Sequence, residues 1–300
     1  MNSSPPPSGP PACPVPSPAR APRPARRRRS LPVLAAALLA LIAACAQAPS
    51  EAAPKPKPDP RPATGASAGM WRPKPGVAWQ WQLTGQLDFS VKAPVYDIDG
   101  FNRKASTVAD LHRRGRKVIC YISVGAWEDF RPDARRFPKS VIGRDNGWEG
   151  ERWLDIRRLD VLRPLIAKRF DMCRAKGFDA VEPDNVDGYL NKTGFKLTAA
   201  HQLAFNRMVA KLAHERGMSV GLKNDMDQIP QLLKDFDFAV NEQCAQYEEC
   251  ETLKPFIKAG KPVFHVEYEL PAARFCAQTR KLGFSSMQKR LHLDAWRRAC

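Results

Sequence analysis

Lys176-Gly177-Phe178-Asp179-Ala180-Val181-Glu182-Pro183-Asp184 closes one helical pattern and opens one strand. The residue past a helix end usually takes a left-handed backbone, which glycine adopts without strain. The apolar run behind Gly177 is too short for a helix and ends on acids. The same junction recurs on either side: Arg114-Gly115 before KVICYIS, Arg216-Gly217 before MSVGLKN, Ala259-Gly260 before KPVFHVEY, and Leu282-Gly283 before FSSMQK. Short strands alternating with helices imply parallel βαβ units. Adding VAWQWQL (Val77–Leu83), VYDID (Val95–Asp99) and FDFAVNEQ (Phe236–Gln243) makes eight strands. Eight such units, in a stretch close to the roughly 250 residues that an α/β-barrel takes, predict a closed (β/α)8 TIM-type barrel over residues 77–300. An open doubly wound sheet is the alternative, but no Gly-x-Gly-x-x-Gly follows the first strand, which argues against a dinucleotide fold.

The barrel is preceded by a different kind of chain. A basic stretch ending at Arg29, an apolar run Leu31–Ala44 and closing small residues have the layout of a secretory signal over residues 1–44. Leu41-Ile42-Ala43-Ala44-Cys45 resembles the bacterial lipobox, which would make Cys45 the lipidated mature N-terminus; a plain cut after Ala-x-Ala is the alternative. Residues 45–76 carry Pro54, Pro56, Pro58, Pro60 and Pro62 among charged and small residues, a composition that favours extended polyproline II. The expectation is an exported, membrane-anchored lipoprotein, or else a secreted protein.

Charge and cysteines fit that reading. The formal charge of +17 includes six arginines before Leu31; setting them aside leaves 42 basic residues against 31 acidic ones. The remaining bases form no aromatic-interleaved stripe, so nucleic acid is not an expected partner. Of eight cysteines, Cys13 leaves with the signal and Cys45 carries lipid. Cys120, Cys173, Cys244, Cys250, Cys276 and Cys300 remain, an even number suited to disulfides in an oxidising compartment. Six cysteines allow fifteen pairings, and sequence does not choose among them. Proximity favours Cys244–Cys250, with Cys276–Cys300 and Cys120–Cys173 as the remainder. No Cys-x-x-Cys or His-x-x-x-His spacing supports zinc.

In a barrel the site lies at the C-terminal strand ends. Those ends carry Asp97 and Asp99, Tyr121, Glu182 and Asp184, Lys223 and Asn224, Glu242 and Gln243, then Glu267 and Tyr268. Any single acid there can be a helix cap, but acids on four strand ends repel unless a cation or proton offsets them. Side-chain alternation places Glu182 and Asp184 with Ala180, Glu242 with Phe238 and Val240, and Glu267 with Val263 and His265. Two carboxylates facing each other across a mouth are the minimum apparatus for glycosidic bond cleavage. The long connection from Ala126 to Asp160 contributes Trp127, Trp148 and Trp153, which either stack on sugar rings or pin the loop.

These segments resemble glycoside hydrolase family 114. DIDG (Asp97–Gly100), VICYISVGAWEDFRPD (Val118–Asp133), WLDIR (Trp153–Arg157), GFDAVEPDNVDGY (Gly177–Tyr189), GLKN (Gly221–Asn224) and NEQCAQYEEC (Asn241–Cys250) carry the likeness, in order, from Trp79 to Cys300. The resemblance implies an endo-α-1,4-polygalactosaminidase with a retaining mechanism, Asp184 as nucleophile and Glu242 as acid/base. It also implies a groove for an amino-sugar polysaccharide among Asp97, Asp99, Tyr121, Trp127, Asp155, Glu182, Asp187, Lys223, Asn224, Gln243, Glu267 and Tyr268, with no cofactor and no metal. Two rival readings are a carbohydrate-binding lipoprotein without turnover and a deacetylase holding a divalent ion on Asp97 and Asp99.

Overall fold

The computed structural model describes residues 69–300. The signal segment, Cys45 and the proline-rich stretch up to residue 68 lie outside the described residues. In chain order the elements begin with β1 (Trp79–Gln82), β2 (Val95–Asp99), α1 (Ala105–Arg113) and β3 (Lys117–Ser123). The long connection then forms β4 (Ala126–Glu128), β5 (Ile142–Asp145) and β6 (Glu151–Leu154) before α2 (Leu159–Lys176) and β7 (Ala180–Asp184). Next come α3 (Ala199–His214), β8 (Ser219–Lys223), α4 (Ile229–Leu232), β9 (Phe238–Glu242), α5 (Lys254–Lys258), β10 (Val263–Glu267), α6 (Ala272–Lys281), β11 (Ser285–Lys289) and β12 (Arg297–Ala299).

All eight expected strands form, and their neighbours pair in parallel in the order β1-β2-β3-β7-β8-β9-β10-β11. The glycine junctions act as expected: Gly177 caps α2 at φ 93°, and its amide donates to the Arg174 carbonyl at 3.0 Å. Three features differ from a regular (β/α)8 ring. No helix lies between β1 and β2. The connection after β3 carries its own antiparallel sheet, β4-β6-β5, which period-based reading of a Trp- and Arg-rich segment did not resolve. Last, β11 pairs not with β1 but with antiparallel β12. Loop contacts close that seam: the Leu83 amide donates to the Leu293 carbonyl at 2.9 Å, and the Trp79 indole to the Ser285 carbonyl at 2.9 Å.

Both faces of the sheet are buried, as parallel sheets require. Trp79, Trp81, Val95, Ile119, Ala180, Phe238, Val240, Phe264, Val266 and Met287 fill the barrel. Tyr96, Ile98, Val118, Cys120, Val181, Val220, Leu222 and Val263 face the helices. A fully buried side chain of this size contributes about 1.5–3 kcal/mol, so the two layers rather than helix propensity hold the fold. The Phe238 ring fits because Gly221 stands opposite; a Cβ there would lie 2.3 Å from Cε2.

The disulfides are Cys120–Cys173, Cys244–Cys250 and Cys276–Cys300, the pairs that proximity favoured. Ahead of β1, Trp71 packs against the cluster that fills the barrel, and Arg72 Nε donates to Asp237 Oδ1 at 3.1 Å. Among the described residues no helix is long and apolar enough to cross a membrane.

Candidate active site

Three successive strands end in the same way. After β7, β8 and β9 the chain turns through left-handed residues that are not glycine: Asn185 (φ 62°), Asn224 (φ 49°) with Asp225 (φ 37°), and Gln243 (φ 63°). Each such residue costs of order 1–3 kcal/mol, and strain of this kind collects at functional sites. Here it surrounds two carboxylates, Asp184 at the end of β7 and Glu242 at the end of β9.

Lys223, at the end of β8, stands between them. Its ammonium lies 2.9 Å from Glu182 Oε1, 3.2 Å from Asp184 Oδ1 and 3.5 Å from Glu242 Oε2. The Asp184 and Glu242 oxygens are therefore no farther apart than those last two contacts laid end to end. Burial opposes a charge on Lys223, but attraction to Asp184, Glu182 and Glu242 outweighs it and pushes the ammonium well above the usual lysine range. Trp81 lines the interior beneath, its ring centroid 4.6 Å from Nζ. Sequence reading missed Trp81 as a site residue, although its inward parity with Trp79 was available as a signal.

The two carboxylates have different surroundings. Asp184 accepts hydrogen bonds from the Tyr121 hydroxyl at 2.8 Å and the Asn185 amide at 2.9 Å, besides the lysine contact. Glu242 accepts from the Tyr268 hydroxyl and from Asn224 Nδ2 at 3.2 Å. Burial raises both phenols well above the usual tyrosine range, with Asp184 adding to the effect on Tyr121 and Glu242 on Tyr268. The phenols therefore stay protonated and act as donors.

Behind this pair, Asp97 and Glu182 are fully buried beside one another. Burial, then repulsion by Glu182, drives Asp97 well above the usual carboxylate range; burial also raises Glu182, with Lys223 opposing. Burial and their mutual repulsion disfavour two charges on this pair. Glu151, on β6, is pushed up to about 7 by burial first, with Glu128 and Asp184 adding to it. It belongs to the hairpin sheet that sequence reading did not resolve.

Several sequence-derived site residues are engaged elsewhere. Glu267 faces the helices, where His265 Nε2 lies 2.9 Å from its Oε1 and the Ala245 amide donates to that oxygen at 2.8 Å. Interior positions of β10 are Phe264 and Val266, so the parity of Glu267 with His265 carries it outward rather than into the mouth. Asp99 is clasped by Arg131 through Nη1 at 3.1 Å and Nη2 at 2.9 Å. Asp155 turns to Arg157, at 2.7 Å and 2.8 Å. Trp127 donates to the Ala134 carbonyl at 3.0 Å and packs on the outer core, while Trp153 is buried, so both pin the loop. Gln243 Nε2 donates to Gln246 Oε1 at 2.9 Å. Asp187 lies on the mouth side beyond β7, near Asp225.

The divalent-ion reading of Asp97 and Asp99 finds no support in these contacts, since Asp99 is clasped by Arg131 and Asp97 is buried beside Glu182. Among the described residues the remaining group of close ligand atoms is Cys244, Cys250 and His265, and its two sulfurs are bonded to each other. His112 and His214 pair with Asp179 and Asp237, and His201 caps α3.

Comparison with known proteins agrees with this geometry. The profile of glycoside-hydrolase family GH114 matches residues 60–300. The structure of Aspergillus fumigatus Ega3 in complex with galactosamine is 43% identical with a TM-score of 0.74, covering 79% of this chain and 100% of that one. The glycoside hydrolase domain of PelA from Pseudomonas aeruginosa shares the fold, at 17% identity and a TM-score of 0.58 over 74% of this chain and 98% of that domain. An uncharacterised Deinococcus radiodurans protein is 26% identical over 197 residues, 58% of this chain and 62% of its own length, so this chain spans less than two thirds of that relative.

Proposed function

The chain belongs to glycoside-hydrolase family GH114, and from that premise we propose that it is a retaining endo-hydrolase of α-1,4-linked galactosamine-containing polysaccharide. Asp184 is the nucleophile and Glu242 the acid/base. The observation that carries this reading is the Lys223 ammonium in contact with both carboxylates at the barrel mouth. One ammonium reaching an oxygen of each acid holds the pair close together, which supports the short spacing of about 5–5.5 Å of a retaining pair over the roughly 6.5–9.5 Å of an inverting pair that admits a water.

Asp184 receives three donors, from Tyr121, Asn185 and Lys223, which fix the position of its carboxyl group at the mouth. Glu242 is the more open of the two and is held mainly by neutral donors, which suits a group that alternates between acid and base. In the first step Asp184 attacks the anomeric carbon while Glu242 gives its proton to the departing oxygen, and an ester to the enzyme forms. In the second, Glu242 takes a proton from water, whose oxygen displaces Asp184 and restores the starting configuration. Galactosamine as the sugar is supported by the likeness to Ega3, whose structure holds it.

Export on a Cys45 lipid anchor belongs to the same proposal. It is supported by the lipobox-like sequence and by three disulfides, which form in oxidising compartments. The test is turnover of α-1,4-galactosamine oligomers followed by mass, with the product anomer read by NMR. Asp184→Asn and Glu242→Gln should each remove turnover while circular dichroism stays unchanged, and the wild-type product should keep its α configuration. Comparable activity in either variant overturns the assignment, and binding without turnover in the wild type favours a carbohydrate-binding protein.

A further inference from the structure

Glu267 lies behind the mouth rather than in it, yet its contacts lead back to Glu242. Its side chain is fully buried, and Oε1 meets three nitrogens: His265 Nε2 at 2.9 Å, the Ala245 amide at 2.8 Å and the Gln246 amide at 3.4 Å. Its second oxygen is buried with no hydrogen-bond partner among the described residues. A buried carboxyl left half unanswered is costly and calls for an explanation. The two amides belong to the turn that leaves Glu242 through the left-handed Gln243, whose own amide donates to the Val266 carbonyl on β10 at 2.8 Å. Cys244–Cys250 closes the same turn, its two sulfurs and a His265 nitrogen all within 4.8 Å of one another. The imidazole is fixed from its other side, where Ser286 Oγ lies 3.0 Å from Nδ1 and the Phe275 ring meets it edge-on. The residue after Glu267, Tyr268, packs on the interior side and donates to Glu242 Oε1. Glu242 is therefore held at both ends by adjacent residues, Tyr268 at its carboxyl group and Glu267 at the turn behind it.

We propose that Glu267, with His265, is a positioning residue for Glu242: it fixes the turn 243–246 and the end of β10 so that the acid/base carboxyl faces the departing oxygen. This rests on the hydrolase reading above and adds which residues behind the mouth aim its acid. Glu267 itself, buried on the helix side, meets no substrate. Its effect falls on proton transfer more than on attack by Asp184, which is held on β7 by Tyr121, Asn185 and Lys223. Three nitrogens on one oxygen are more than the two lone pairs of a glutamine amide accept, so Glu267→Gln frees part of the turn with almost no change in volume. A displacement of about 1 Å at a reacting group can cost on the order of 10²-fold, which is within what a well-placed general acid contributes.

The test separates proton transfer from attack by changing the leaving group. A galactosamine oligomer departs as an alcohol and needs a proton from Glu242, whereas the α-fluoride of the same sugar departs as fluoride and needs little help. Glu267→Gln should lower kcat on the oligomers at least about tenfold, with KM within about twofold of wild type. On the fluoride, the burst of the first turnover should keep its rate within about twofold of wild type, because Asp184 still attacks. Later turnovers, which need Glu242 as base, should be slow and should quicken when azide, a nucleophile that needs no base, is added. His265→Gln, whose amide nitrogen can replace Nε2 against Glu267, should stay within about threefold of wild type on the oligomers, since it restores one hydrogen bond. His265→Met, which cannot, should show the same split between oligomer and fluoride, and it carries the test if Glu267→Gln does not fold. Losses that run in parallel on oligomer and fluoride burst overturn the positioning role and leave the hydrolase reading standing, as does wild-type activity in both Glu267→Gln and His265→Met. A wild type that turns over neither substrate removes the hydrolase reading and the role with it.

Discussion

Asp225, just beyond β8, couples pH to the stability of the whole chain. Its ordinary carboxyl pKa is near 3.8 and its folded value about 9, so between those limits the folded state holds a proton that the unfolded state has lost. A raised folded pKa contributes stability that is complete below about 4 and is lost as pH rises toward 9, at up to roughly 1.4 kcal/mol per pH unit. Asp225→Asn resembles the protonated form and carries no such dependence. Urea denaturation at pH 5 and pH 8 should therefore show a smaller loss of stability in the variant than in wild type. Asp97 and Glu182 are raised too, but they slope alike in both proteins and cancel in the comparison. Equal slopes in the two proteins would contradict a protonated Asp225. Nothing in its sequence neighbourhood marks this residue: it lies beyond the strand end, and the hydrogen bond to its Oδ2 comes from Asn206 on α3.

At the scale of elements, the turn from β3 into β4 fixes the height of Asp184. The amides of Val124 and Gly125 donate to the Asp184 carbonyl at 3.1 Å and 3.2 Å. A Cβ on residue 125 would lie 1.7 Å from the Asn185 carbonyl oxygen and 2.7 Å from its carbon, both backbone atoms. Gly125→Ala must move one chain off the other. The cost should exceed the about 1–3 kcal/mol typical of overpacking, and kcat should fall on the order of 10²-fold because Asp184 moves with Asn185. Thermal unfolding and oligomer cleavage check both effects. The seam between β11 and β1 depends on a second element, the tail that turns back as β12 and is tied to α6 by Cys276–Cys300. Replacing both cysteines with serine opens a 24-residue span and should cost about 3 kcal/mol. Denaturant midpoints measure this loss, and an unchanged midpoint would show that Leu293 and the β12 pairing close the seam unaided.

For the whole molecule, the proposed lipid anchor on Cys45 bears on where the barrel works. Cys45 is followed by a proline-rich stretch of the kind that extends rather than packs. If lipid on Cys45 is the anchor, Cys45→Ala should move the protein from the membrane fraction to the soluble fraction with its oligomer-cleaving activity intact. Retention in the membrane would point instead to an uncleaved apolar segment.

The sequence by itself determined the order of eight strands, the glycine closures and the disulfide inventory, which rest on helix termination, alternation along a strand and cysteine count. Alternation and the need for paired acids left Glu182, Asp184, Glu242 and Glu267 as candidates, and the resemblance to family 114 singled out Asp184 and Glu242. Alternation says which residues share a face but not which face looks inward when both are apolar. Glu267 shows the limit, since Val263 and His265 on one side of β10 are as buried as Phe264 and Val266 on the other. Only the tertiary structure decided that the first set meets the helices, that Lys223 stands between the acids and pairs with Glu182, and that Arg131 clasps Asp99. Those outcomes depend on groups far apart in the chain brought within hydrogen-bonding distance by barrel closure, where burial and neighbouring charge, not residue type, set how much charge each acid keeps.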